Sequence, residues 1–539
     1  MNRRNAIKMG FGLASAFSGV ARSALGGNNR QGKTQPNVLI LMSDQLNASA
    51  LSCYGGWIPT PHLERLAGKG VIFNNATCTT PFCSPSRASL ITGLYPHSHG
   101  ITYNVNKIDY PAVVTAGGSP PTEQGVTIKD VTTEKLLNNA GYATHHYGKW
   151  HLSDTGGLPY YQDTYGEHLE YAREMEATFQ RIRRLPADQW VDWYDWALPV
   201  TLTPAYRKAA AIRLEKWRKA GRSKFLTQLI SKTGRLDLPV DQVFDYRVAE
   251  RTVRTLRNLG ANPFMITCSL NWPHDPNAVP SPYYESFDPD QIKLPANYGK
   301  SDARFDKEDS RRLVLDMDDQ AEAGLHELLR IYAGCVRLVD DQIGRVLDAL
   351  NRTGRSDDTI VVFAADHGDM AGGHGMFWKS TSSFYDEIAR VPLIISFPGR
   401  IKPGKSDIAA SLVDIMPTLL DLVGHPVPHG VQGASIAAYL LGQGDPASAP
   451  AYSFCERVHA NPEHTRSVAP GTPASFMVRG KGWKHITYPE GEEFLYHLAQ
   501  DPGETQNLAT DPAFQEQKDA LRHELEAWLQ KTAYPKTKS

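Results

Sequence analysis

The stretch CSPSRASLITG begins at Cys83 and sets a thiol, two hydroxyls, a proline and a guanidinium within five residues. Ser84 is a good N-cap, Pro85 suits the first helical position, and Gly93 can end a helix. Cys83 is therefore expected just before a helix N-terminus, where backbone N–H groups and the helix dipole favour an anion. Arg87 falls in the first turn and can fold back toward Cys83. One chemistry that fits is a cysteine nucleophile with a lowered pKa. That chemistry wants an adjacent histidine base and leaves the proline and arginine unexplained. On these residues alone the purpose of the thiol stays open.

The elements that must position it are legible as apolar runs. PNVLILMSDQ carries a continuous apolar run at residues 38–42 and ends in Asp44. Such a run marks a strand buried on both faces of a parallel sheet. TIVVFAADHGD repeats the design and ends in Asp366 and His367, and PFMITCSLNWPHD does so near His274. VPLIISFPG is a fourth run. Amphipathic helical patterns lie between them, in TTEKLLNNAG, DYRVAERTVRTLRNLG and ELLRIYAGCVRLVDDQIGRVLDALNRTG. This alternation predicts an α/β fold with a large doubly wound, mostly parallel sheet flanked by helices. Ligands of such sheets sit beyond the carboxyl ends of the strands. Asp44, His274, Asp366 and His367 all fall there, so they are expected to share a site.

Three further segments stand apart. Residues 154–238 read as a helical, aromatic insertion in which Trp190, Trp193, Tyr194 or Trp196 either pack a cap or line a sugar-binding cleft. A Pro/Gly-rich stretch near Ser448 divides a catalytic domain, 31–447, from a small C-terminal α+β subdomain, 448–539. There SFMVRG, WKHITY and EEFLYHL read as three antiparallel strands and QEQKDALRHELEAWLQK as a packed helix. Residues 1–30 read as an export signal and leader. Arg3, Arg4 and Lys8 precede an apolar run at 9–20, too short for the roughly 20 residues of a membrane span, with small residues Ala21 and Ser23 before Ala24. The paired arginines resemble a twin-arginine signal, with the general secretory route as the alternative. No cysteine follows the run to carry a lipoprotein anchor, so no stable membrane insertion is expected.

The 539 residues carry a net charge of −1, so no global field favours nucleic acid or an anionic membrane. Any anionic substrate must be held by a local cluster of cations. The six cysteines have no CxxC and no zinc spacing. Cys53, Cys78 and Cys83 are close enough in sequence to allow a disulfide that a chain of this size does not need.

Cys-Ser-Pro-Ser-Arg followed by Leu-x-Thr-Gly resembles the signature of the formylglycine-dependent sulfatases of the alkaline phosphatase superfamily. The resemblance runs over most of the chain: PNVLILMSDQ, GKWHL, NWPHDP, ADHGDMAGGHGMFWKS and the terminal LYHLAQDPGETQNLA all have counterparts. It implies that Cys83 is oxidised to formylglycine by a cytosolic formylglycine-generating enzyme before folding. One hydroxyl of the hydrated aldehyde would attack sulfur and release the alcohol. Deprotonation of the other would re-form the aldehyde and expel sulfate, avoiding a stable sulfated enzyme. Asp44, Gln45, Asp366 and His367, with position 83, would hold a divalent cation acting as Lewis acid. Arg87 would stabilise the hydrate, and Lys149 and Lys379 would clamp sulfate. His151 would serve as base for the second hydroxyl. His274, with Lys379, would protonate the leaving oxygen. YPHSHG and GGHG recur in the family around the site, which assigns His97, His99 and His374 to structure or substrate contact.

The sequence departs from the commoner Asp-Asp and Asp-Asn pairs by having Asp44-Gln45 and Asp366-His367. Oxygen ligands suit calcium, and an imidazole tilts toward manganese; relatives with Asp-His keep calcium, so calcium stands first. Gln/His pairing also occurs in relatives that cleave choline sulfate, phosphonates or phosphate esters, which makes such a hydrolase the alternative. A non-catalytic sulfated-glycan-binding protein is a third reading. The resemblance and the export signal together imply a periplasmic or secreted sulfatase acting on a sulfated polysaccharide or oligosaccharide.

Overall fold

Val38, Ile40 and Met42 face one apolar layer, and Leu39 and Leu41 face the opposite one. Strand β1 (Asn37–Asp44) is buried along its whole length and needs cover on both faces. The computed structural model, which describes residues 35–105, 125–126, 130–152, 174–186, 191–193, 198–219, 233–275, 277–300, 303–305, 321–380, 382–458 and 471–535, supplies it. Around β1 lie β2 (Gly70–Phe73), β3 (Ala143–Gly148), β4 (Phe264–Pro273), β5 (Thr359–Ala365), β6 (Leu393–Ser396) and β7 (Gly404–Ser406), in the order β7-β2-β6-β5-β1-β4-β3.

The four strands β5, β1, β4 and β3 run parallel. β6, which the sequence groups with the parallel strands, runs antiparallel to both β5 and β2. Its apolar run signals burial on two faces and carries no sign of direction. On one face of the sheet pack α2 (Phe244–Asn258) and the long α3 (Ala321–Arg352), through Val248, Val253, Leu329, Val336 and Ile343. On the other pack α1 (Cys83–Thr92) and α4 (Ile415–Val423), through Leu90, Ile91, Leu419 and Leu420. The architecture is therefore α/β, helices covering both sides of a large, mostly parallel sheet.

A second, antiparallel sheet is formed by β8 (Tyr452–Val458), β9 (Ala474–Gly480), β10 (Trp483–Thr487) and β11 (Glu493–His497). The last three are the strands read from sequence; β8 is an addition. Helix α5 (Gln515–Lys531) lays Leu521, Leu525 and Trp528 on Val478 and Leu495. This layer is tied to the large sheet by buried charge. Lys484 Nζ meets Asp386 at 2.6 Å and Glu504 at 2.7 Å, Arg479 pairs with Asp386 at 2.8 Å, and His97 meets Glu456 at 2.7 Å. Losing one partner of such a pair costs about 3–5 kcal/mol, because the other is left charged and dry.

The insertion is less purely helical than its sequence reads. Helices Glu176–Arg183 and Pro204–Lys219 flank the strand pair Val191–Trp193 and Leu198–Val200, and Gly234–Leu236 further along pairs with Ala278–Pro280. Trp190, Tyr194, Trp196 and the side chain of Trp193 lie outside the described residues, as does the export signal expected over residues 1–30. No helix among the described residues is long and apolar enough to cross a membrane.

Candidate active site and metal centre

Adjacent strand ends deliver the charged residues side by side. β5 is followed by Asp366 and His367, β1 ends in Asp44 with Gln45 next, β4 is followed by His274, and β3 by Lys149 and His151. Gly148 closes β3 with φ +92°, and a Cβ there would collide with the Ser269 carbonyl. Glycine lets the two strands stay in contact, so that Lys149 N donates to Ser269 O at 2.9 Å.

Helix α1 brings in the thiol. The helix starts at Cys83 itself, after Phe82, with no side-chain cap. Ser84 is thus not the N-cap, and Pro85 is the third helical residue. The Ser84 hydroxyl is used otherwise: it donates to His151 O at 2.6 Å and accepts from Val105 N at 3.0 Å. Asn104 Oδ1 takes the Ser84 N–H at 3.1 Å, satisfying one of the helix's orphan donors. Gly93 ends the helix with φ +67°, as expected.

Cys83 Sγ lies 3.2 Å from His367 Nε2, 3.5 Å from Lys379 Nζ, 3.8 Å from Asp44 Oδ1 and 3.9 Å from Lys149 Nζ. It also shares a hydrogen bond with His151. Burial disfavours the thiolate, but Lys149, Lys379 and His367 outweigh it and hold Cys83 well below its ordinary value. His274 completes the wall. Lys379 Nζ donates to His274 Nε2 at 2.9 Å, and His274 Nδ1–H donates to Asp275 O at 2.5 Å. Asp44, Lys149, His151, His367 and Lys379 are thus gathered against Cys83, with His274 behind Lys379.

Arg87 does not point at the thiol. Its guanidinium spans the two acids, with Nε on Asp366 Oδ2 at 2.7 Å and Nη2 on Asp44 Oδ2 at 2.9 Å. Nη1 donates to Lys149 O and Ser269 Oγ at 2.9 and 2.8 Å. Burial alone would raise Asp44, but Lys149, His274 and Arg87 hold it below the usual carboxylate range. Asp366 is raised, by burial and then by Asp44 beside it. Burial holds His151 below the ordinary imidazole value.

The same residues fit a divalent cation. The ligating atoms of Asp44, Cys83, Asp366 and His367 lie within 4.8 Å of one another. His367 Nδ1–H donates to Gly368 O at 2.9 Å, so Nε2, which faces Cys83, is the atom that would ligate once it gives up the proton that Asp366 and Cys83 favour against burial. Gln45 Oε1 is buried with no hydrogen-bond partner, a state that costs free energy unless a ligand satisfies it. Gln45 and His151 both hold positive φ, +59° and +54°, strain of the kind that collects at functional sites.

Residues 36–425 match the family model described as sulfatase, and residues 372–531 that of the C-terminal region of N-sulphoglucosamine sulphohydrolase. The chain belongs to the sulfatase family. It is a sulfuric ester hydrolase and, with its family, a member of the alkaline phosphatase superfamily. The N-acetylglucosamine-6-O-sulfatase of Bacteroides thetaiotaomicron is 28% identical over 501 residues, 88% of this chain and 82% of that one. A protein solved with its substrate D-glucosamine-2-N,6-O-disulfate superposes with a TM-score of 0.66 at 22% identity, covering 94% of this chain and 100% of its own. The phosphonate monoester hydrolase of Silicibacter pomeroyi superposes with a TM-score of 0.67 at 23% identity, covering 92% and 96%.

His97, His99 and His374 make contacts within the fold. His97 is held by Glu456, His99 Nε2 lies 3.2 Å from Ser89 Oγ, and His374 stacks on Tyr385 with ring centroids 3.7 Å apart. Sequence reasoning missed Ser269, Asn104 and Asp369. Only Asp369 carried a signal, its place in the ADHGD run. None of the six cysteines, all among the described residues, is in a disulfide; Cys78, Cys83, Cys268, Cys335 and Cys455 are buried.

If these acids hold a cation, calcium added to chelator-treated protein should raise the thermal midpoint. Saturation a hundredfold above Kd corresponds to about 2.7 kcal/mol. Differential scanning calorimetry should show the rise for wild type and lose most of it in Asp366→Asn.

Proposed function

We propose that this sulfatase removes sulfate from a sulfated polysaccharide or oligosaccharide, using a formylglycine made from Cys83. The observation that carries the reading is the setting of Cys83, buried between two lysines, two histidines and an acid pair. Cys83 has no exposed surface in the folded chain. A formylglycine-generating enzyme would have to reach it before the fold closes, in the cytosol, and a twin-arginine route would then export the finished protein to the periplasm or beyond. The carbohydrate class is supported by the names of relatives that act on glucosamine-type sulfates.

Asp44, Gln45, Asp366 and His367 would hold one divalent cation, calcium first and manganese second. A cation there would supply Lewis acidity toward the nucleophile and the sulfate. Arg87 bridges the two acids and offsets part of their repulsion. Lys149 and Lys379 face position 83 from two sides and would bind sulfate oxygens as negative charge builds on them. His151, hydrogen-bonded to residue 83, would take the proton whose loss expels sulfate. His274 would hand a proton, replenished from Lys379, to the leaving sugar oxygen.

The alternative is a phosphonate, phosphodiester or choline-sulfate hydrolase. It is favoured by the Gln45 and His367 pair and by the fold shared with a phosphonate monoester hydrolase. Protein bearing the aldehyde should cleave an aryl sulfate faster than an aryl phosphonate. The reverse order would favour the alternative, and cleavage of neither would favour a binding protein. Product analysis on defined sulfated oligosaccharides then names the sugar.

His274→Ala gives a sharper check of the proton donor. Loss of general-acid catalysis costs about 10²–10⁴-fold, but only where the leaving group needs the proton. Turnover of a sugar sulfate should fall by that factor while an activated nitrophenyl sulfate barely changes. Equal losses on both would remove His274 from this role.

A further inference from the structure

Gln45 stands where a carboxylate is common, and an amide has a wrong way round. Its oxygen can bind a cation; its NH2 cannot. Something must choose between the two orientations, and Asp369 is placed to do so. Gln45 Nε2 donates to Asp369 Oδ2 at 2.8 Å, while the other carboxylate oxygen, Oδ1, accepts the Ala371 N–H at 2.7 Å. Asp369 is fully buried. Its own backbone is fixed as well, since Asn47 Nδ2 donates to Asp369 O at 2.8 Å. A carboxylate only accepts, so it pulls the NH2 of Gln45 toward itself. The amide oxygen is left buried and without a partner.

We propose that Asp369 is a positioning residue that locks the Gln45 amide with Oε1 presented to the cation, so that Gln45 and Asp369 act together as the missing acid. The inference rests on the cation site described above. The Gln45 N–H is meanwhile held by Asp366 Oδ1 at 3.1 Å, which ties the loop after β1 to the loop after β5 and leaves the side-chain amide as the part free to turn over.

Asp369→Asn separates the two possibilities. An asparagine has one acceptor, and the Ala371 N–H belongs to a backbone that cannot turn over. The acceptor must go there, so the new NH2 faces Gln45. Gln45 then has to flip, giving its oxygen to the new amide and its NH2 to the cation. Adding Gln45→Glu repairs this, because a carboxylate at 45 has one oxygen for the amide at 369 and another for the cation.

The test is isothermal titration of calcium into chelator-treated wild type, Asp369→Asn and the double variant Gln45→Glu/Asp369→Asn. Loss of such an outer partner costs about 10–100-fold in metal affinity. The single variant should weaken binding by that factor, and the double variant should recover to within about threefold of wild type. Wild-type affinity in Asp369→Asn would overturn the inference, as would a double variant no better than the single. If Asp369→Asn alone does not fold, the double variant decides by the same threefold mark. Wild type that binds no calcium or manganese would instead overturn the cation site itself, a separate result from either failure above.

Discussion

Asp44 and Asp366 sit out of water at the ends of neighbouring strands, and one guanidinium lies against both. Two carboxylates that close and that dry repel each other, and each alone would shed its charge by protonation. Arg87 opposes this because its planar fork donates in two directions at once and stays charged; it helps hold Asp44 low, while Asp366 stays raised. The Arg87 contacts with Ser269 Oγ and Lys149 O extend the same anchor to β4 and the end of β3. Four strands and the N-terminal half of α1 are thus tied together by one side chain.

That constraint explains the surroundings. Around the acid pair the chain gathers Lys149, Lys379 and His367, all facing Cys83. The centre places positive charge that would suit an oxyanion beside oxygen ligands that would suit a cation. A lone thiol nucleophile would need only one base. This site has cations that would suit a tetrahedral anion, acids and an imidazole that would suit a metal ion, and two separate histidines, His151 against residue 83 and His274 against Lys379. Such a division of labour suits a reaction with two proton transfers at different oxygens.

Much of this is legible in the chain alone, for physical reasons. A strand buried on both faces leaves an uninterrupted apolar run, so β1, β4, β5 and β6 announce themselves; their polar ends then fall at the carboxyl edge, where the site must be. The spacing of Cys83, Pro85 and Arg87 is chemically odd enough to identify a family. What stays hidden is direction and pairing. β6 reads like its neighbours because burial carries no polarity. Short β2, β3 and β7 lack runs long enough to register. Ser84 was expected to cap a helix because propensity counts local bonds; its hydroxyl instead ties His151 O to Val105 N across the fold. Asp369 is invisible as a partner of Gln45 because 324 residues separate them.

The account turns on what residue 83 is in working enzyme. Cys83 as a thiol sits among groups that would serve a hydrated aldehyde better, and the proposed chemistry needs the conversion. Peptide mass spectrometry can measure the fraction of aldehyde in preparations made with and without a formylglycine-generating enzyme, alongside aryl sulfate turnover on the same samples. Turnover should rise in proportion to that fraction and vanish as it reaches zero. Full turnover from protein carrying only the thiol would contradict the account.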